Sequence, residues 1–192
     1  LPKIIYPSTR LIYKGSNDLL KETSEKEFKT IYALNKYFGE QVLEQYSRSF
    51  SIPFTIYRIC VPYGNIVEGD YSYGTVGFFL NKARNMEDIT LYGDGSLRRT
   101  FSYVEDIVKQ IVLTCGQEKS LNQVYNIGGD MFSLEEVATE IAKKYGVKVI
   151  YKEWPEPTLK IESGHTIFDS SKIEAQLKIN KKQNLVTWIK DL

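Results

Sequence analysis

Two stretches in direct succession constrain this chain most. Residues 24–50 are rich in helix formers, with Ile31, Leu34, Tyr37 or Phe38, Val42, Leu43 and Tyr46 recurring at helical spacing. After a short break at Ser51-Ile-Pro53 comes Phe54-Thr-Ile-Tyr-Arg-Ile-Cys-Val61, a run of β-branched and aromatic residues that reads as a buried strand. Helix followed directly by strand is the rhythm of a parallel α/β sheet, because parallel neighbours need a crossover that a helix supplies. An earlier apolar run, Lys3-Ile-Ile-Tyr6, opens into Pro7-Ser8-Thr9 and reads as a second strand. Ligands of such sheets gather beyond the carboxyl ends of the strands, where Thr9 and Val61 both fall. Ser24 followed by Glu27 has the form of a capping box, which predicts a helix start at Ser24.

Beyond Gly64 the spacing predicts a Gly- and Tyr-rich loop over Glu68 to Thr75, a helix over Val76 to Arg84 and a strand over Ile89 to Tyr92. A helix over Val104 to Cys115 and a strand over Gln123 to Ile127 follow. A helix over Ser133 to Tyr145 sits behind a Ser133…Glu136 cap, and Val147 to Tyr151 reads as a strand. Trp154-Pro-Glu-Pro157 breaks the pattern, and the tail from Ser170 suggests one or two short helices. The 25 basic and 24 acidic residues balance, so no broad basic field steers polyanions. No apolar stretch approaches the ~18 residues of a membrane span. Nucleic acid and membrane are therefore not expected partners. Two cysteines, Cys60 and Cys115, cannot build a multi-bridge framework, so a cytoplasmic setting is expected.

Tyr32 and Lys36 are four apart in the best helix, so they share one face. A neighbouring ammonium favours a phenolate, which suits a tyrosine to taking and returning the proton of an alcohol. A hydroxyl such as Thr9 can polarise the same oxygen. His165 is the only histidine and has no second ligand pattern beside it, so no metal is expected.

Three ordered segments then acquire meaning together: Pro7-Ser8-Thr9-Arg-Leu-Ile-Tyr13, Tyr32-x-x-x-Lys36, and Arg58-Ile-Cys-Val-Pro-Tyr63-Gly64. They resemble the extended short-chain dehydrogenase/reductase family, NAD-dependent epimerase/dehydratase type, and within it the UDP-glucose 4-epimerase-like proteins. Leu91-Tyr-Gly-Asp-Gly-Ser-Leu-Arg-Arg99-Thr-Phe-Ser-Tyr-Val-Glu-Asp106 is similar to that family's Gly-Asp-Gly…Arg-Asp-Phe…Val-x-Asp stretch. Val124-Tyr-Asn-Ile-Gly128 and Asp169-Ser-Ser-Lys172 have counterparts too, so the resemblance covers nearly the whole chain.

The resemblance implies an α/β fold, with residues 1–66 the remaining part of a Rossmann-type dinucleotide-binding domain. Residues 67–192 would form mainly a smaller α/β domain for the sugar nucleotide, with some segments returning to the first sheet. It implies Thr9, Tyr32 and Lys36 as catalytic residues, and Ser8, Tyr32, Lys36 and Ile59 around the cofactor, NAD with NADP as the alternative. Thr9, Val61, Tyr92 and Arg99 would lie about a nucleotide-diphosphate sugar. The implied activity is reversible hydride transfer through a 4-keto sugar. A 4-keto-sugar reductase and a non-catalytic binding module stay open as alternatives.

Several positions depart from the family pattern. The family's 4,6-dehydratases follow the Thr with an Asp-Glu pair, whereas Arg10 and Leu11 stand here, which disfavours dehydration. Val61 replaces an Asn that holds the diphosphate, and Thr100 replaces the Asp after the matching arginine. No Gly-x-x-Gly-x-x-Gly loop, which would seat the adenosine half of the cofactor, occurs in the 192 residues, and the chain opens Leu-Pro-Lys without an initiator Met. The expectation is a truncated, inactive piece of an enzyme, and a homo-oligomer in which the strand near Lys3 to Tyr6 pairs with another copy. The 192-residue chain should accordingly show no micromolar NAD affinity by calorimetry; such an affinity would refute the expectation.

Overall fold

In the computed structural model, which describes residues 3–64, 74–177 and 183–192, strand β1 (Ile4–Thr9) runs on through Pro7 to Thr9, past the expected end at Tyr6. Proline is tolerated there because β1 is an edge among the described strands. A 3-10 turn, Arg10–Ile12, follows. Helix α1 (Ile31–Phe50) starts seven residues after Ser24. The Ser24 hydroxyl instead accepts from the Lys21 amide (2.9 Å), and Glu27 N donates to Ile12 O (3.0 Å), so these residues form a pinned loop. The working cap is Thr30, whose Oγ1 accepts from Ala33 N at 3.0 Å.

The expected single strand over Phe54 to Val61 is two: β2 (Phe54–Ile59) and β3 (Val61–Tyr63), which belong to different sheets. The apolar run is continuous because both sheets bury it. Helix α2 (Gly74–Arg84) and strand β4 (Ile89–Tyr92) follow; the expected loop over Glu68 to Thr75 and the 66/67 boundary lie largely outside the described residues. Strand β5 (Arg98–Tyr103), α3 (Val104–Cys115), β6 (Gln123–Asn126), β7 (Asp130–Ser133), α4 (Leu134–Tyr145) and β8 (Val149–Lys152) complete the sheets. β5 and β7 were not expected, since their polar residues hide the strand pattern. β8 begins two residues late because Val147 N closes α4 on Ala142 O (3.1 Å) after left-handed Gly146. The Ser133–Glu136 capping box forms as read. Helices α5 (Glu156–Ile161), α6 (Ser171–Glu174) and α7 (Leu185–Asp191) end the chain. α5 was unforeseen: its prolines sit in the opening turn, where a missing N–H costs nothing.

The first sheet is parallel, in the order β1-β2-β6. The second is β3-β5-β7, with β3 and β5 parallel and β7 antiparallel to β5. β4 and β8 pair in parallel as a third. Tyr57 and Ile59 of β2 face a core with Ile107, Tyr125 and Ile173, while Arg58 between them turns toward α1. No helix among the described residues is long and apolar enough to cross a membrane.

Arg58 is 4% exposed, and its guanidinium grips Glu40 of α1 with two bonds, Nε to Oε1 at 3.1 Å and Nη2 to Oε2 at 2.6 Å. Its Nη1 donates to Tyr13 Oη and to Glu22 O, both at 2.7 Å. Tyr13 Oη passes its own proton to Asn126 Oδ1 of β6 at 2.7 Å. Burial works against the cation, and the Glu40 hydrogen bonds reverse it, leaving the pKa of Arg58 raised. Glu40→Gln would strand that charge in the interior. Urea denaturation should then show a loss of about 3–5 kcal/mol in unfolding free energy; a loss within about 1 kcal/mol, as for a surface pair, would contradict a structural role.

Candidate active site at the strand ends

At the carboxyl ends of β1 and β2 lies a cavity of about 490 Å³, within the size range of small-molecule sites. Ser8, Thr9, Tyr32, Lys36, Ile59 and Val61 all line it. β1 delivers Ser8 and Thr9, and the sheet register sets Ser8 beside Arg58 and Thr9 beside Ile59. The first turns of α1 deliver Tyr32 and Lys36 on one face. Gly39 lets that helix lie close to β1, since a Cβ there would stand 2.4 Å from Tyr6 Oη.

Lys36 Nζ donates to Pro7 O at 2.8 Å and rests over the Tyr6 ring at 4.9 Å, which aims the ammonium along β1. One donor is used and two are left for a ligand. Thr9 Oγ1 accepts from Leu11 N at 3.3 Å, so its hydroxyl proton stays free to donate. Tyr32 is half exposed. Ser8 Oγ is fully buried and, among the described residues, is the one such side-chain atom without a hydrogen-bond partner. An orphaned buried hydroxyl in a cavity wall is a ready partner for a bound polar group.

The structure does not bring Tyr92 and Arg99 to this cavity. Tyr92 packs on Trp154 (5.4 Å between ring centres) beside a separate cavity of about 520 Å³. Arg99 is 2% exposed and donates from Nη2 to Glu162 Oε1 at 2.6 Å and from Nη1 to Gly164 O. Burial, then the charge of Arg10, lowers the Arg99 pKa to about 10, so it remains cationic at neutral pH. Thr100 Oγ1 accepts from Phe168 N at 2.8 Å. Val61 offers only an apolar wall.

Arg10 and Cys60 also line the cavity and were not singled out as site residues. Their signal was position: Arg10 directly follows Thr9, and Cys60 directly follows Ile59. His165 Nδ1 accepts from Arg98 N at 3.1 Å, and no cluster able to hold a metal occurs among the described residues. Asp169 Oδ1 accepts from Ser171 N (2.9 Å), and Lys172 donates to Val124 O (2.8 Å), which moors α6. Another cavity, of about 360 Å³ between α4 and α7, holds none of the expected site residues.

Parallel strands ending in hydroxyls beside a Tyr-x-x-x-Lys helix define a Rossmann-type α/β protein. The chain belongs to the NAD dependent epimerase/dehydratase family, whose family model matches residues 1–128. It is 27% identical over 125 residues to an uncharacterized UDP-glucose epimerase of Bacillus subtilis, covering 65% of this chain and 39% of the relative. It is 30% identical over 147 residues to a UDP-N-acetyl-alpha-D-glucosaminuronate decarboxylase of Bacillus cytotoxicus, covering 72% of this chain and 45% of the relative. The fold matches UDP-glucuronic acid 4-epimerase of Bacillus cereus, solved with UDP-glucuronic acid and NAD, with a TM-score of 0.83 at 22% identity, over 98% of this chain and 59% of that one. The chain thus spans less than two thirds of the length of the proteins it matches.

Cys60 forms the cavity's corner at 8% exposure; burial raises its thiol pKa, and Arg10 offsets this only in part. Iodoacetamide should therefore label Cys115 in the folded protein and spare Cys60, with both reacting in urea. Peptide mass mapping that finds the two equally labelled before unfolding would overturn this picture of the corner.

Proposed function

We propose that the protein works in NAD-dependent epimerisation of a nucleotide-diphosphate sugar. The observation that carries the reading is the convergence of Ser8, Thr9, Tyr32, Lys36 and Ile59 on one cavity at the strand ends. The donor set suits the nicotinamide end of NAD: Lys36 keeps two free protons that would serve ribose hydroxyls, Ser8 Oγ is an unpartnered hydroxyl that would serve a polar group, and Ile59 supplies an apolar wall. NAD, when bound, supplies the hydride acceptor and donor. Tyr32 Oη takes the proton from the sugar hydroxyl as that carbon becomes a ketone, and returns it afterwards. Thr9 Oγ donates to the same oxygen and fixes its position. Lys36 Nζ, held along β1 by Pro7 O, would hold the nicotinamide ribose beside Tyr32 through its two free donors. The absence of a carboxylate at Arg10 and Leu11 removes the acid and base that elimination of water would use.

Tyr32→Phe in the complete protein tests this reading. The interconversion of a nucleotide sugar and its epimer should fall by about 10²–10⁴-fold, the range of a lost general acid-base group, with little change in KM. Unchanged turnover would remove Tyr32 from the mechanism. Net consumption of NADH during turnover would replace epimerisation by reduction.

A further inference from the structure

Two arginines and one carboxylate meet where the turn after β1 packs on the segment after α5, and their charges do not balance. Glu162 is committed to Arg99 at 2.6 Å, and the same oxygen accepts from Gly164 N at 3.0 Å. Arg10 has no carboxylate partner among the described residues. Its Nη1 donates to two neutral hydroxyls, Ser163 Oγ at 2.8 Å and Thr166 Oγ1 at 3.3 Å, and Nε and Nη2 make no hydrogen bond to described residues. The Cys60 thiol beside it is kept protonated by burial. Arg10 lines the cavity as a partly buried residue, its guanidinium braced through Nη1 and its Nε and Nη2 left free.

We propose that Arg10 binds a carboxylate on the sugar ring, so that the site selects nucleotide-linked uronic acids over neutral hexoses. The proposal rests on the preceding reading of the cavity. Arg10 follows Thr9 in the chain, and Thr9 holds the reacting oxygen of the sugar. In a 4-epimerisation that oxygen is on C4. The neighbouring ring carbon, C5, bears the substituent that is a carboxylate in a uronic acid. The diphosphate hangs from C1, across the ring, which places it away from Arg10. A guanidinium meets a carboxylate through two parallel bonds, and Arg10 has two unused nitrogens to give. The carboxylate would also offset the repulsion between Arg10 and Arg99, which Glu162 alone leaves at one net positive charge.

The test compares UDP-glucuronate with UDP-glucose by calorimetry on the wild type, Arg10→Gln and Arg10→Lys, with near-ultraviolet circular dichroism to confirm that each is folded. The wild type should bind UDP-glucuronate about tenfold to a hundredfold more tightly than UDP-glucose, as expected for a charge-assisted pair. Arg10→Gln should bring the two affinities together, and Arg10→Lys should restore part of the gap because the charge returns without the fork. A preference that survives Arg10→Gln would overturn the proposal. An equal loss for both ligands would overturn it too, since it would put the guanidinium on the diphosphate. Binding of UDP-glucose without any preference for UDP-glucuronate defeats this inference alone. Failure of the wild type to bind either ligand defeats the nucleotide-sugar reading beneath it as well.

Discussion

A guanidinium buried in the first sheet has to be neutralised where it stands, and Arg58 is neutralised by Glu40 across the β2–α1 contact. Removing either partner alone is costly, because a charge without its counterion in the interior loses hydration and gains nothing in return. The pair therefore fixes how α1 is set along β2. The phenol of Tyr13 and the amide of Asn126 extend the same chain of bonds to the segment after β1 and to β6. Tyr32 and Lys36 are on that helix, and Ser8 and Thr9 are on the neighbouring strand. The distances inside the cavity thus follow from an ion pair that does not line it.

Much of the first sheet was legible because its signals are local. Helical periodicity after Ile31, the β-branched run through Phe54 to Ile59, and the Ser133–Glu136 cap each declare themselves within a few residues. The start of α1 was misread because Ser24 and Thr30 are equally good caps on paper, and only packing of the 24–30 loop against Ile12 chooses between them. β5 and β7 escaped because strands rich in Arg, Thr, Asp and Ser do not alternate cleanly. The break at Cys60 escaped because an apolar run does not record which sheet each half joins.

The site divides the same way. Ser8, Thr9, Tyr32, Lys36, Ile59 and Val61 meet because strand ends and one helix face bring them together; Thr9, Val61 and the Tyr32–Lys36 pair could be read from position and spacing, Ser8 and Ile59 only from the family resemblance. Arg99 was read from a motif, yet its surroundings depend on Glu162, 63 residues later in the chain. A pairing over that distance leaves no mark in a linear pattern. Arg10 was visible only as a break in that pattern, and its meaning came from the partners the fold withholds from it.

The passage from β2 to β3 through Cys60 has one more consequence. The strand that ends at Ile59 and the strand that begins at Val61 belong to separate sheets, yet a single residue joins them, and all three line the cavity. Two walls joined by a single covalent corner cannot drift apart at that edge.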